Sequence, residues 1–288
     1  MPEVFADGVS KVFKLKEREI KALNGVSFSA VAGEVLAILG ANGAGKTTLF
    51  NIFANLTSLD SGSISVLGLA PTDKRYYDGI SFVSSETQFL WTLSAAQIIK
   101  FYQTLFGVKD EIVLKVLDEL KLKDKLDRKW HQMSSGEKMR LRIAKGLLTS
   151  PKVLFLDEPT VGLDPDIADK LRFYLKSLKD QGMCIILTSH LMLDIEILAD
   201  RMCFIKNGEI VFSGVLGEEY FKPKVEVVFC NPVKGDTLDF DFEQKAEDSI
   251  RVATPYLPQV LSLGEVKEVN TITNDLESLF ISLVRESK

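Results

Sequence analysis

The hydrophobic pattern changes period several times along the chain, and each change marks an element. Up to about residue 35 the patterning is of β type. Val26-Ser-Phe-Ser29 alternates apolar with polar, as a half-buried strand does. Val35-Leu-Ala-Ile-Leu39 is continuously apolar, which fits a parallel strand buried on both faces. A glycine-rich stretch follows at once. Leu49, Ile52, Phe53 and Leu56 then recur at helical spacing. From about 86 to 150 the chain reads as mainly helical. Ser94 and Gln97 have the spacing of a capping box. Residues 110–121 place Ile112, Val113, Val116, Leu117 and Leu120 on one face, and Met139, Ile143 and Leu147 continue the pattern in a later helix. Val153–Leu156 and Ile185–Leu187 are further buried strands. Between them Asp164-Pro165 predicts a helix start, with Asp as N-cap and Pro in the first helical position, and Leu171, Leu175 and Leu178 carry that helix onward. Strand, helix and strand with unbroken apolar strands predict an α/β fold on a mainly parallel sheet.

Phe204–Phe212 has Asn207-Gly208 between two short apolar runs, the strongest short-range hairpin signal. After Phe221-Lys-Pro-Lys224 the character changes. Val225–Phe229, Ile250–Val252 and Val266–Val269 predict short strands, and a last helix is expected from about Asn274 through Leu276, Leu279, Phe280 and Leu283. We therefore expect a domain over 1–222, with its helical part at about 86–150, and a small α+β appendage over 223–288. No internal repeat and no low-complexity segment is evident.

Composition narrows the class. At 46% hydrophobic and 26% charged residues the chain sits in the ordinary globular range. Basic and acidic residues number 35 and 40, a formal charge of −5, which leaves no electrostatic footprint for nucleic acid; none is expected as a partner. Cys184, Cys203 and Cys230 are too scattered for a zinc site or a disulfide framework, so reduced, mostly buried thiols are expected. Met1-Pro-Glu-Val-Phe5 lacks the basic start and apolar core of a signal peptide. No run approaches the roughly 18 apolar residues of a membrane-spanning helix, so work at a membrane requires another chain to do the spanning.

The candidate chemistry begins at Gly40-Ala-Asn-Gly-Ala-Gly-Lys-Thr47, a full match to G-x-x-x-x-G-K-[ST] between a buried strand and a helix. Its glycines let backbone N–H groups converge on phosphate oxygens, and the following helix adds its positive end. Lys46 is placed to reach the β- and γ-phosphates of ATP, and the Thr47 hydroxyl to ligate Mg²⁺. Val153-Leu-Phe-Leu-Asp-Glu158 ends a buried strand in two acids, at the sheet edge where ligands sit. Asp157 suits the Mg²⁺ shell, and Glu158 suits the general base that polarises the attacking water. Solvated acids at a strand end are common, and the upstream phosphate loop tips the reading toward function.

Met133-Ser-Ser-Gly-Glu137, about 20 residues before Asp157, resembles the signature of the ATP-binding cassette (ABC) ATPases, usually Leu-Ser-Gly-Gly-Gln. Ser134 and Gly136 fit; Met133, Ser135 and Glu137 are variants. Ser134 and Ser135 are also good N-caps for the helix beyond, and a helix N-terminus favours anions. Gly162-Leu-Asp164 resembles the family's D-loop, and His190 its switch histidine; His131 has no such placement. Phe13 resembles the aromatic that stacks on adenine, a contact worth roughly 1–3 kcal/mol. Ser85 stands where the family has its Q-loop glutamine, a departure that affects both the Mg²⁺ shell and the usual coupling contact; Gln88 comes three residues late. The resemblance covers about residues 4–221.

That resemblance implies a P-loop NTPase core with an N-terminal antiparallel β-subdomain and a helical subdomain. The nucleotide-binding set it implies is Phe13, Gly40, Asn42, Gly43, Gly45, Lys46, Thr47, Thr48, Ser134, Ser135, Gly136 and Asp164. The Mg²⁺ set is Thr47, Asp157 and Ser85, and the catalytic pair is Glu158 with His190. It further implies two cassettes, identical or not, paired head to tail. Each ATP then lies between one subunit's Gly40–Thr47 loop and the other's Ser134–Gly136. A membrane-spanning permease would hold the pair on the inner face of the cell membrane. Phe89-Leu-Trp91 is either part of the docking groove or a core cluster. Transport, of export type, is the first reading. A non-transport cassette acting on ribosomes or DNA is the alternative, disfavoured by the single cassette, the lack of heptads and the acidic balance. A non-catalytic regulatory cassette is the third.

Overall fold

A computed structural model describes residues 2–15, 18–215, 224–232, 242–253 and 256–272. The chain divides into two compact units, Met1–Val215 and Leu216–Lys288. The boundary expected after residue 222 lies outside the described residues.

The first unit runs β1 (Val4–Leu15), β2 (Arg18–Ala30), β3 (Val35–Leu39), α1 (Lys46–Phe53), β4 (Ser61–Val66), β5 (Ile80–Ser84), α2 (Ala95–Phe106), α3 (Asp110–Glu119), α4 (Ser135–Leu147), β6 (Val153–Asp157), α5 (Pro165–Asp180), β7 (Cys184–Ser189), α6 (Met192–Leu198), β8 (Arg201–Lys206) and β9 (Glu209–Val215). The main sheet has the order β5-β6-β7-β3-β8-β9. Its first five strands are parallel and β9 returns antiparallel. A smaller antiparallel sheet, β2-β1-β4, forms beside it. The expected α/β core and the antiparallel N-terminal sheet are both present.

Continuous apolar strands follow from burial on both faces. All five residues of β3 are buried, as are all six of β7. Under the sheet Phe155 of β6 stacks on Phe82 at 4.6 Å, lies 5.2 Å from Phe53 and meets Phe50 edge-on at 5.5 Å. This ring cluster seats α1 against the strands. The helix stops at Phe53, short of the expected Leu56. Asn55 turns the chain with φ 55°, and Leu56 is 77% exposed. An apolar residue at the right spacing does not extend a helix whose next turn has nothing to pack on.

The helical block matches its sequence signals. Ser94 Oγ accepts from Gln97 N (3.2 Å) and Gln97 Oε1 from Ser94 N (2.9 Å), a complete capping box. A non-local ladder ties its entrance to its exit: Trp130 N donates to Leu93 O (2.8 Å), Ala95 N to Arg128 O (3.0 Å) and Ala96 N to Leu126 O (2.9 Å). Phe89 and Trp91 separate. Phe89 meets the buried Trp130 edge-on at 4.9 Å, whereas Leu90 and Trp91 are each 69% exposed. The β8–β9 hairpin turns at Asn207 (φ 49°) and Gly208 (φ 81°), the two positive φ values of a type I′ turn.

The second unit is a four-stranded antiparallel sheet, β11-β12-β10-β13. It comprises β10 (Lys224–Phe229), β11 (Phe242–Ala246), β12 (Ser249–Ala253), the short α7 (Leu257–Leu261) and β13 (Val266–Ile272). Val227, Phe229, Ile250, Val252 and Val260 form its core. Three strands match the sequence signals. β11 does not, because Phe242-Glu-Gln-Lys-Ala is too polar to show a pattern. The helix expected from Asn274 lies outside the described residues. Among those residues no helix is long and apolar enough to cross a membrane. Cys184 and Cys203 are buried as expected, and burial pushes the Cys184 thiol up to about 12; Cys230 is exposed.

Phe155→Ala removes the ring shared by Phe50, Phe53 and Phe82. It should destabilise the first unit by about 3–5 kcal/mol, read as a lowered urea midpoint. A loss under about 1 kcal/mol would mean the cluster collapses around the gap.

Candidate nucleotide site

The site is built on the carboxyl ends of β3, β6 and β7, adjacent strands whose loops converge. β3 feeds the glycine loop, which has no room for side chains at two points. A Cβ on Gly40 would lie 2.4 Å from Ile205 O, and one on Gly45 would lie 2.6 Å from Ala22 O. Gly45 also has φ 114°, so glycine is required there on both counts. The loop is held from outside by the β8–β9 turn, where Gly208 N donates to Ala44 O (3.0 Å). Within it, the buried Lys46 donates from Nζ to Gly40 O (2.6 Å) and Ala41 O (3.3 Å). The ammonium therefore sits in the loop's concavity.

A cavity of about 420 Å³ opens over this loop. Its walls include Ala41, Asn42, Gly43, Gly45, Lys46, Thr47 and Thr48 from the loop and α1, Ser85 and Glu86 after β5, and Asp157 and Glu158 after β6. Phe13, Ile20, Lys21 and Ala22 close it from the small sheet. Nearly all the sequence-predicted loop residues, both acids, Ser85 and Phe13 thus share one space. Ile20, Lys21 and Ala22 carry no motif; only the strand pairing of Phe13 with Ile20 brings them there.

The acids are fixed by a threonine that no motif singles out. Thr188 Oγ1 donates to Asp157 Oδ1 (2.6 Å) and accepts from Glu158 N (3.1 Å). Glu158 adopts φ 50°, a left-handed conformation rare for a non-glycine residue. Local strain of this kind persists where surrounding contacts over-determine it. Here its N–H is held by Thr188, and its Oε2 lies 2.8 Å from His190 Nδ1. With the carboxylate ionised, Nδ1 carries the shared proton. His190 is 48% exposed and, unlike Glu158, is not among the cavity walls.

Behind this pair lies a buried ionic network. Asp194 is fully buried; Arg172 donates to its Oδ1 from Nε (2.8 Å) and Nη2 (2.7 Å). Its Oδ2 accepts from Ser189 Oγ (2.8 Å) and from Thr160 Oγ1. One carboxylate thereby joins the segment after Glu158, the residue before His190, and α5. The sequence signal was an acid among the apolar positions of α6.

The Ser134–Gly136 turn is not among the cavity walls. Ser134 is the N-cap of α4, and its Oγ accepts from Glu137 N (3.2 Å). Ser135 Oγ donates to Gly162 O (2.8 Å), linking the turn to the segment before α5. Asp164 is the N-cap of α5 with Pro165 behind it, as expected, but its side chain makes no capping hydrogen bond. His131 bonds to Trp91 O through Nδ1 (2.8 Å), away from the cavity. Gln88, the residue three positions late, accepts from Trp130 Nε1 (3.2 Å) and so is engaged outside the cavity.

A glycine loop between a buried strand and a helix, with two acids ending a nearby parallel strand, defines a P-loop nucleoside triphosphatase. The Ser134–Gly136 turn and the order of the motifs place the chain more narrowly. The family model described as ABC transporter matches residues 23–161. The lantibiotic transport ATP-binding protein SrtF of Streptococcus pyogenes is 39% identical over 191 residues, covering 66% of this chain and 83% of that protein. An uncharacterized ABC transporter ATP-binding protein of Bacillus subtilis, YhcH, is 30% identical over 92% of both chains. A nucleotide-free ATP-binding cassette from an ABC transporter has the same fold, with 27% identity and a TM-score of 0.67 over 76% of this chain and 93% of that one. A dimeric cassette in a post-hydrolysis state bound to ADP and Pi is 25% identical, with a TM-score of 0.68 over 74% and 99%. The chain belongs to the ABC family: it is the ATP-binding, ATP-hydrolysing subunit of an ABC transporter.

Asp194→Ala would take the buried carboxylate from Arg172, leaving it Asp169 as its ion-pair partner at 2.7 Å. The cost should stay below the roughly 3–5 kcal/mol of a buried charge left wholly uncompensated, and the segments carrying Glu158 and His190 lose their common anchor. Thermal unfolding should shift down, and ATP turnover should fall at temperatures where the protein is still folded. Unchanged melting would show that the network does not stabilise the fold.

Proposed function

We propose that the chain is an export-type motor working as one of two cassettes on a membrane-spanning permease, on the inner face of the cell membrane. Names among its relatives favour export: a Burkholderia lata relative, 36% identical over 67% of this chain and 65% of its own length, is a Nod factor export ATP-binding protein. The described relatives are transport proteins, which favours transport over a role on ribosomes or DNA. The 1–222 domain carries the motor and 223–288 is an accessory domain.

The observation that carries the reading is a division of the motifs. The phosphate loop, both acids and Phe13 line one cavity, while Ser134–Gly136 stand outside it. That is what a site completed by a second subunit requires. In this reading Phe13 stacks on adenine. The backbone N–H groups of Gly40–Gly45, with Asn42 and Thr48 at the mouth, hold the phosphates, and Lys46 turns from the Gly40 and Ala41 carbonyls to the β- and γ-phosphates. Glu158 takes a proton from the attacking water. His190 holds the Glu158 carboxylate through Nδ1 and reaches the γ-phosphate. Asp164 aligns the segment between the two subunits.

The donor set fits Mg²⁺. Thr47 and Ser85 hydroxyls and the Asp157 carboxylate offer hard oxygens on one cavity. Among the described residues no cluster of three or more His, Cys, Asp or Glu could hold a metal by itself. That agrees with an ion held by few protein groups together with substrate phosphates. When bound, Mg²⁺ neutralises charge on the β- and γ-phosphate oxygens. Ser85 replaces a longer side chain, and its N–H donates to Asp157 O (3.3 Å), which keeps the hydroxyl segment beside the acid.

Glu158→Gln removes the base and leaves binding intact, so the variant should run at doubled mass in sizing with saturating ATP, and Lys46→Ala in that background should return it to a monomer. A variant that stays monomeric with ATP would rule out a sandwich formed by two copies alone. Affinity purification from membranes should recover a multi-span protein with the chain; recovery with ribosomes instead would reverse the reading.

A further inference from the structure

The signature turn carries a carboxylate where a phosphate must approach. Glu137 is the third residue of α4 and buried, 6% exposed. Its Oε2 accepts from Ser134 N at 3.0 Å, completing a reciprocal capping box with the Ser134 hydroxyl. An acid in the first turn stabilises a helix, because it faces the positive end of the helix dipole. The same charge works against a second anion at that place. The N–H groups of Ser135 and Gly136 point forward with no intrahelical acceptor, and they are what a γ-phosphate would use. A full negative charge within one turn of them would repel it.

Arg128 offsets that charge. It comes from the loop before Trp130, and its Nη1 lies 3.1 Å from each Glu137 carboxylate oxygen. The other nearby cations do not pair with the carboxylate: Arg140 donates to Leu120 O (3.0 Å) and from Nε to Gly136 O (3.4 Å), and Lys138 lies over the Trp130 ring at 5.4 Å. Among the described residues Arg128 is the cation paired with Glu137. Its own backbone carbonyl accepts from Ala95 N (3.0 Å), so the loop that delivers the guanidinium is anchored independently of the pair.

We propose that Arg128 is a positioning residue that neutralises Glu137, so that the α4 N-terminus receives the γ-phosphate of the second subunit's ATP. The proposal rests on the two-subunit site described above. It makes a signed claim: affinity for the shared ATP follows the net charge of the Arg128–Glu137 pair. A purely structural ion pair makes the opposite claim, that losing either partner weakens the site.

Gln at position 137 preserves the capping box, since an amide serves as well as a carboxylate at that position. Three variants of the full chain in the Glu158→Gln background therefore separate the cases. The quantity read is the ATP concentration that gives half-maximal dimer by analytical ultracentrifugation. Arg128→Gln should need about tenfold more ATP than the parent, the scale of one unit charge a helical turn away in a half-solvated site. Glu137→Gln should need less, and the double variant should match the parent. Both shifts should shrink as salt is raised. If both single variants weaken the dimer alike, or the double variant does not recover, the proposal is overturned. Glu137→Gln alone decides the sign even if Arg128→Gln folds poorly. A parent that does not dimerise with ATP would instead remove the two-subunit reading, and the proposal with it.

Discussion

Everything functional in the first unit depends on one steric constraint: backbone N–H groups must converge on an anion with no side chain in the way. Gly40 and Gly45 meet that constraint against fixed walls, the carbonyls of Ile205 and Ala22. Those walls belong to β8 and β2, so the loop is shaped by the large sheet on one side and the small sheet on the other. The type I′ turn at Asn207-Gly208 reaches back to Ala44 and closes the arrangement. A parallel sheet with β3 near its centre brings the carboxyl ends of β6 and β7 beside the loop, as such sheets do at their ligand edge.

The acids illustrate how a strained backbone is supported. Glu158 leaves β6 with a positive φ, and Thr188 answers it twice, once through Asp157 and once through the Glu158 N–H. Asp194 and Arg172 then lock the flanking segments from behind. A buried pair of this kind adds little net stability over an apolar replacement. What it adds here is registration: the segment after Glu158, the end of β7 and α5 share a single carboxylate.

Around Trp130 the helical block shows the same economy of parts. Gln88 and Phe89 on one side, and Arg142 at 5.0 Å over the ring on the other, fasten the segment after Ser85 to the helix that presents the signature turn. Arg142 Nε also donates to Thr87 O at 2.7 Å. The segment that lacks the usual glutamine is thus bound to α4 by other groups.

Much was legible in the order of residues. Continuous apolar runs identified the buried strands, Ser94-x-x-Gln97 a helix start, Asn207-Gly208 a hairpin, and the glycine loop a phosphate cradle, because each writes its requirement as a pattern over consecutive residues. The end of α1 and the polar strand β11 were not legible, since both were decided by what lay opposite them. Phe89-Leu-Trp91 likewise split only in the fold, where Trp130 packs against Phe89 and the other two stand exposed. Among the candidate site residues, sequence supplied the chemically reactive set. The tertiary structure decided which of them share a cavity, and it added Thr188, Arg172 and Arg128, whose roles come from partners 9 to 31 positions away. Such pairings leave no local trace, because a hydrogen bond between distant segments imposes no periodicity on either.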